Sequence, residues 1–170
     1  IIVSRGIDEP RAAETFLYPR LESLSDPFLI PDMEKGVERV IASIRNEENI
    51  CIYGVYDADG VTATALLSNF LTTLERPHCT YLPKREEGYG LNVQAIDTLR
   101  DQGVTLIVCV DCGSTNVDEV KRAAELGMDT VIIDHHEMGP VRPPAVAVIN
   151  PKQKNSLFPT RDLAACGVVF

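Results

Sequence analysis

From residue 50 to residue 149, short β-branched runs alternate with longer stretches of mixed polarity, and the turns between them carry Gly and Asp. The short runs are Ile50 to Gly54, His78 to Leu82, Thr105 to Val110, Thr130 to Ile133 and Ala145 to Ile149. Two of them, Leu106 to Val110 and Thr130 to Ile133, are almost continuously apolar, which is the pattern of strands covered on both faces. Between the runs, Val61 to Leu74, Val93 to Gln102 and Val117 to Leu126 are long enough for crossover helices. Asn92 and Asn116 are placed to cap helix starts, and Gly103 and Gly127 to end helices. Strands alternating with crossover helices predict an α/β fold with a doubly wound, mostly parallel sheet flanked by helices.

Upstream the pattern changes. Asp8 to Leu17 suggests a short helix with Pro10 in its first turn, and Asp32 opens another that carries Val37, Val40, Ile41 and Ile44 on one face. Residues 1–48 are therefore expected to form a helical lead-in packed on a core domain of residues 49–170. The first residue is Ile1, and the closing Gly167-Val168-Val169-Phe170 has the look of an element cut in mid-course. The core domain is accordingly expected to be truncated at its C-terminal end.

A length of 170 residues suits one domain, and 45% hydrophobic with 24% charged residues is a globular mix rather than a disordered one. Charges interrupt the chain too often for a membrane span, and Ile1 to Val3 is too short an apolar stretch for a signal peptide, so a cytoplasmic protein is expected. The net charge of -9 excludes a simple basic clamp on nucleic acid. Five cysteines, at 51, 79, 109, 112 and 166, are scattered among mostly apolar neighbours, as buried free thiols of a reducing compartment would be. Cys109 and Cys112 form a C-x-x-C, but no second pair completes a zinc site and Cys109 lies inside a strand rather than at a helix start.

Three of the strands end in acidic clusters: Tyr56-Asp57-Ala58-Asp59-Gly60, Asp111-Cys112-Gly113 and Asp134-His135-His136-Glu137. An Asp after a strand is often only a cap or turn former. In a parallel sheet, however, all three turns share the C-terminal edge, where ligands bind. Carboxylates gathered there repel one another unless a cation lies between them, and neutral imidazoles add nitrogen ligands. A mixed carboxylate and imidazole set suits Mn²⁺ or a related ion better than Ca²⁺. Asp111 as a bridge, flanked by Asp57, Asp59 and His135, would suit two ions roughly 3.5 to 4 Å apart, an arrangement used in phosphoester hydrolysis. A dinucleotide loop is disfavoured, since residues 54–60 lack Gly-x-Gly-x-x-Gly and place two carboxylates where a pyrophosphate would sit.

The loop from Pro83 to Asn92 reaches the same edge. Lys84 and Arg85 could hold phosphate, Gly88 and Gly90 could let backbone approach a ligand, and Tyr89 offers a face to a base or sugar. The alternative is a solvated charged loop with a glycine turn.

Together these motifs resemble the DHH phosphoesterase superfamily, whose signature stands here as Asp134-His135-His136, and within it the RecJ type. The resemblance runs through Arg5-Gly6-Ile7, Asp26-Pro27-Phe28, Tyr56 to Thr62, Glu87-Gly88-Tyr89-Gly90-Leu91, Val110 to Gly113, Asp134 to Glu137 and Val148-Ile149-Asn150-Pro151-Lys152. It implies a single-strand-specific 5′ to 3′ DNA exonuclease of repair or recombination that uses Mn²⁺ or Mg²⁺, with two ions in the complete protein. Asp57, Asp59, Asp111 and His135 then match metal ligands. His136 matches the histidine near the metal and scissile phosphate, so Asp111 and His136 are the expected catalytic residues. Arg85, Gly88, Tyr89, Gly90 and His136 are the expected substrate contacts, with single-stranded DNA as partner and replication or repair proteins as further ones. Two features depart from the family pattern. Val55 stands where the family usually has Asp, removing a carboxylate expected beside the first metal, and the resemblance puts a further metal-binding Asp and a second domain beyond Phe170. Two other readings stay open: a phosphodiesterase of short oligonucleotides or cyclic dinucleotides, and a degenerate module that binds DNA or a partner without cleaving, which Val55 would favour.

Overall fold

The computed structural model describes residues 2–170. In chain order its main elements are α1 (Pro10–Leu17), α2 (Met33–Arg45), β1 (Ile50–Tyr53), α3 (Ala58–Thr73), β2 (His78–Tyr81), α4 (Val93–Asp101), β3 (Leu106–Val110), α5 (Val117–Glu125), β4 (Asp129–Ile133), β5 (Ala147–Ile149) and α6 (Ala165–Val169). The strands form one five-stranded sheet in the order β2-β1-β3-β4-β5, with every pairing parallel. The alternation of apolar runs and amphipathic stretches thus becomes the expected doubly wound α/β sheet. β1 has β2 on one side and β3 on the other, so the strand order reverses there and a crevice opens at the C-terminal ends of β1 and β3.

Continuous apolar character in β1 and β3 reflects burial on both faces. One face is covered by α4 and α5, whose Ile96, Leu99 and Val120 pack with Cys51, Tyr53, Ile107 and Cys109. The other is covered by α2, α3 and α6, where Met33, Leu71 and Val168 meet Ile52, Val108, Val131 and Ile149. Each layer buries side chains from alternate positions of the same strands, as a period of two requires.

The helix boundaries carry one informative departure. α3 begins at Ala58 rather than Val61, so the acidic turn is itself the first turn of the helix. Asp57 is the N-cap and accepts a hydrogen bond from the Gly60 amide at 3.0 Å, while Asp59 sits in the first turn, where a negative charge complements the helix dipole. A Cβ at Gly60 would lie 2.3 Å from Val55 Cγ2 and 2.7 Å from the Val55 carbonyl oxygen, so only glycine lets the chain leave β1 and enter α3 so abruptly. Asn92 caps α4 as expected, accepting from the Ala95 amide at 2.7 Å. Asn116 precedes α5 but its side chain makes no cap bond and reaches instead to the Leu91 carbonyl.

The two lead-in helices differ. α2 packs on β4 and β5, whereas α1 contains no buried residue, and its Phe16 and Leu17 are 48% and 54% exposed. Packing on the sheet is thus a property of α2 alone. Just before α2, Asp32 accepts a hydrogen bond from the Val148 amide of β5 at 3.1 Å and pairs with Arg142. None of the described helices is long and apolar enough to cross a membrane.

Candidate metal centre

Three loops meet at the crevice. The β1–α3 turn brings Asp57 and Asp59, the end of β3 brings Asp111, and the end of β4 brings Asp134, His135 and His136. Asp111 is 1% exposed and adopts a positive φ of 62°, a left-handed conformation that Asp tolerates better than most residues. The backbone thereby turns sharply out of β3 and points the carboxylate into the crevice rather than along the strand.

Among the described residues, the ligand atoms of Asp111, His135 and His136 lie within 4.8 Å of one another. His135 Nε2 stands 3.1 Å from Asp111 Oδ1 and 3.4 Å from Asp59 Oδ2. Asp111 Oδ1 is buried without a hydrogen-bond partner, even though the imidazole nitrogen is close. Two electron-rich groups at that separation without a hydrogen bond are arranged as ligands of a common cation would be.

The electrostatics divide the two buried aspartates. The Asp111 carboxyl is pushed up to about 7, first by burial and then by the charges of Asp59 and Asp57. Burial also acts against the Asp134 carboxylate, but hydrogen bonds from Ser114 and His136 outweigh it and hold the group below its ordinary range. Asp134 accepts from the amides of Ser114 (3.0 Å), His135 (2.7 Å) and His136 (3.2 Å), and from His136 Nδ1 at 2.7 Å. Asp134 is saturated and Asp111 is not. With Nδ1 committed to Asp134, His136 presents Nε2 as its free nitrogen.

Asp57 is held below the usual carboxylate range, chiefly by the Gly60 amide, with Asp111 and Tyr89 adding to that effect. Asp59 is engaged on both oxygens by the amides of Ala165 (2.8 Å) and Cys166 (3.1 Å). Asp57 and Asp59 therefore flank the group of three rather than belonging to it. The donor set still fits a divalent ion: a buried oxygen without a proton donor, imidazole nitrogen beside it, and further carboxylates at its rim.

The loop after β2 is placed as its position in the chain predicts. Tyr89 donates to Asp57 at 3.2 Å and to the Asp111 carbonyl at 3.4 Å, and its ring makes edge contacts with Tyr56 (5.8 Å) and His136 (6.0 Å). Arg85 lies over the Tyr56 ring at 4.8 Å with its guanidinium on the surface. Gly88 and Gly90 both have positive φ, 93° and 85°, so they serve the turn itself. Gly88 is exposed and Gly90 buried, and Gly90 offers its carbonyl to the Tyr53 hydroxyl. Arg85, Tyr89 and His136 are thus linked through ring contacts that include Tyr56, Gly88 is exposed in the same loop, and Gly90 is buried against Tyr53.

Three residues beyond the expected set complete the site. Asn150, fully buried, donates to Ser114 Oγ and to the His136 carbonyl, both at 2.9 Å, and so ties the ends of β3, β4 and β5 together. Tyr56 supplies the ring between Arg85 and Tyr89. The signal for Asn150 was a polar residue directly after an apolar strand; Ser114 carried none.

Val55 stands where the family pattern usually has Asp. Its side chain is fully buried in the apolar cluster with Leu91, Ile96 and Cys112, and it packs against Gly60. Val55→Asp is therefore expected to destabilise this chain by at least about 2 kcal/mol, as burial of an unpaired carboxylate does. Urea unfolding of the two forms measures the difference, and equal midpoints with equal slopes would show that the pocket already holds a partner for the acid.

The model of the DHH family, N-terminal domain, matches residues 49–170. The chain is 41% identical over 171 residues to the single-stranded-DNA-specific exonuclease RecJ of Bacillus subtilis (strain 168), covering 100% of this chain and 22% of that protein. It is 39% identical over 140 residues to the protein of the same name from Escherichia coli (strain K12), covering 81% of this chain and 24% of that one. Among solved structures, exonuclease RecJ bound to manganese superposes with a TM-score of 0.77 at 28% identity, covering 86% of this chain and 37% of the other. RecJ in complex with Mn²⁺ from Thermus thermophilus superposes with a TM-score of 0.75 at 25% identity, covering 99% of this chain and 23% of the other. The chain thus spans about a quarter of the length of the curated relatives it matches. With a parallel sheet whose C-terminal edge gathers Asp57, Asp59, Asp111 and the Asp134-His135-His136 triplet, and with its family model matched from residue 49 to residue 170, the chain belongs to the DHH family.

Proposed function

We propose that this chain carries the metal centre and part of the substrate surface of a Mn²⁺- or Mg²⁺-dependent exonuclease acting 5′ to 3′ on single-stranded DNA. The observation that carries the proposal is Asp111: a buried carboxylate oxygen with no proton donor, within 4.8 Å of ligand atoms from two histidines. A cation is the partner that such an oxygen lacks. The names of the RecJ relatives supply the substrate class, and the manganese-bound structures the kind of ion.

In this reading Asp57, Asp59, Asp111 and His135 would hold the divalent ions, two in the complete protein, and His136 would contact the scissile phosphate. Bound divalent ions would supply Lewis acidity at phosphorus and an acidified water. The protein's own residues do the rest. Asp134 fixes the His136 tautomer and ring orientation, so that Nε2 is the atom offered to the phosphate. Tyr89 and Tyr56 present ring surface to bases or sugars, and Arg85, held over Tyr56, keeps its charged edge free for a phosphate. With a net charge of -9 the chain as a whole repels DNA, so neutralisation at the crevice falls to the metals and these few groups.

The same reading takes residues 1–48 as the lead-in and residues 49–170 as the DHH domain, which is supported by where the family match begins. It also includes a cytoplasmic location and contact with replication or repair proteins.

The test is Mn²⁺-dependent release of nucleotides from a 5′-labelled single-stranded oligonucleotide by this chain, with EDTA and Asp111→Asn as controls and a dinucleotide as competing substrate. Release that both controls abolish is expected. No release with Mn²⁺ present would mean that the residues of this chain do not suffice for hydrolysis, and faster turnover of the dinucleotide would move the substrate to short oligonucleotides.

A further inference from the structure

Away from the metal centre, two of the five cysteines face each other across the sheet. β1 and β2 are parallel, and Cys51 and Cys79 are direct Cα partners in their register. Neighbouring strands lie about 4.7–4.9 Å apart, inside the Cα separation of about 4.4–6.8 Å that a disulfide spans. Both side chains belong to the layer covered by α4 and α5, and as in-register partners on adjacent parallel strands they point to the same face of the sheet. Accessibility differs between them: Cys51 is fully buried, while Cys79, on the edge strand, is only partly covered. Their chemistry differs in the same direction. The hydrogen bond from Cys51 lowers the Cys79 thiol toward its thiolate, whereas its bond to Cys79 and burial drive the Cys51 thiol up.

Beyond Ile52 and Thr80, which face the other way, the next register pair on the same face is Tyr53 and Tyr81, with rings stacked at 5.1 Å. Both hydroxyls hold the loop of residues 85–90: Tyr53 donates to the Gly90 carbonyl at 3.0 Å, and Tyr81 donates to Glu87 Oε2 at 2.5 Å. The two cysteines therefore sit one same-face step beneath both anchors of that loop.

We propose that Cys51 and Cys79 are a redox modification site that closes to a reversible disulfide under peroxide and alters the loop of residues 85–90 through the Tyr53–Tyr81 pair. The Cys79 thiolate attacks one oxygen of hydrogen peroxide, the O–O bond breaks, and a sulfenic acid forms as hydroxide leaves. The Cys51 sulfur then attacks the Cys79 sulfur; the S–O bond breaks, and the departing oxygen leaves as water with the Cys51 proton. In total two thiols lose two electrons, and the peroxide is reduced to two waters. A small dithiol reverses the bridge by exchange. Cross-linking of neighbouring thiols in a reducing compartment is usually transient and regulatory, which fits a pair with one accessible member. This chemistry does not depend on the proposed nuclease activity.

The experiment treats the chain with rising hydrogen peroxide and maps the cysteines by peptide mass, with partly covered Cys166 as an internal gauge of oxidant strength. A Cys51–Cys79 linked peptide is expected before Cys166 is modified, and dithiothreitol should remove it. In Cys51→Ser the Cys79 sulfenic acid should persist and be trapped by dimedone. Because Tyr89 lies within the loop of residues 85–90, its ring resonances in NMR report on that loop without a contribution from the disulfide chromophore. Oxidation should shift those resonances reversibly in the parent chain and leave them unchanged in Cys51→Ser and Cys79→Ser. Separate thiols at 51 and 79 once Cys166 is oxidised, or a persistent Cys79 sulfenic acid in the parent chain, would overturn the site. A bridge that forms without a change in the Tyr89 resonances would overturn its coupling to the loop.

Discussion

Asp111→Asn is expected to abolish Mn²⁺-dependent hydrolysis and, in EDTA, to make the protein more stable above neutral pH. Asn keeps the shape and tolerates the positive φ at this position, so the backbone of the turn is preserved. What it removes is a buried charge. The Asp111 carboxyl is pushed up to about 7, first by burial and then by Asp59 and Asp57. A carboxyl whose folded pKa stands above its unfolded value takes up a proton on folding, so its penalty is absent in acid. The penalty grows as pH rises from the ordinary carboxylate range through about 7 and then levels off. Three pKa units correspond to about 4 kcal/mol, so a gain on the order of 3–4 kcal/mol is expected for the variant at pH 8 and almost none at pH 4. Urea unfolding in EDTA at both pH values measures this. Adding Mn²⁺ should reverse the order, because a ligand that binds only the folded state stabilises the protein that holds it. Equal stability at pH 8 in EDTA would mean that Asp111 is not an unsatisfied charge, and the main support for a metal would go with it.

Asp134→Ala should act in the opposite sense. Three backbone amides and one imidazole donate to this side chain, which is 1% exposed, and alanine leaves those buried donors without an acceptor. A loss of about 3 kcal/mol or more follows from the desolvation of unpaired groups. The pH dependence is also reversed. Because hydrogen bonds from Ser114 and His136 overcome the effect of burial and lower the Asp134 pKa, its stabilisation is present above the ordinary carboxylate range. It is lost as pH falls through the folded value. The difference between the parent chain and Asp134→Ala should therefore shrink in acid, and the His136 ring resonances of the variant should show the imidazole released from its Nδ1–H tautomer. A loss below about 1 kcal/mol at pH 7 would show that water replaces the carboxylate at this site.

The contrast between these two aspartates marks where the sequence could and could not be read. The sheet was legible because β3 and β4 are buried on both faces, and burial on both faces leaves no polar alternation to confuse the period. That Asp57, Asp59, Asp111, His135 and His136 converge followed from the common direction of parallel strands. The division of labour among them did not. Asp111 and Asp134 both follow apolar strands, and only the left-handed turn at one and the ring of amides around the other separate a free carboxylate from a saturated one. α3 starts three residues before the point its apolar pattern implies for a related reason: Asp and Gly favour turns and helix N-termini alike, and tertiary packing of Gly60 on Val55 decides between them. Ser114 left no trace in the pattern, since its role depends on Asn150, a hydrogen-bonding partner 36 positions away.

The carboxylate of Asp32 also governs how the sheet ends at its side. β5 is an outer strand only three residues long, and an outer strand presents unpaired amides to any other extended chain that comes alongside. The Val148 amide would be such a group, but Asp32 accepts its hydrogen while Arg142 holds the acid in place. A strand arriving from another molecule would have to displace a paired charge to gain one hydrogen bond. The turn before α2 thus acts as a guard against edge-to-edge aggregation.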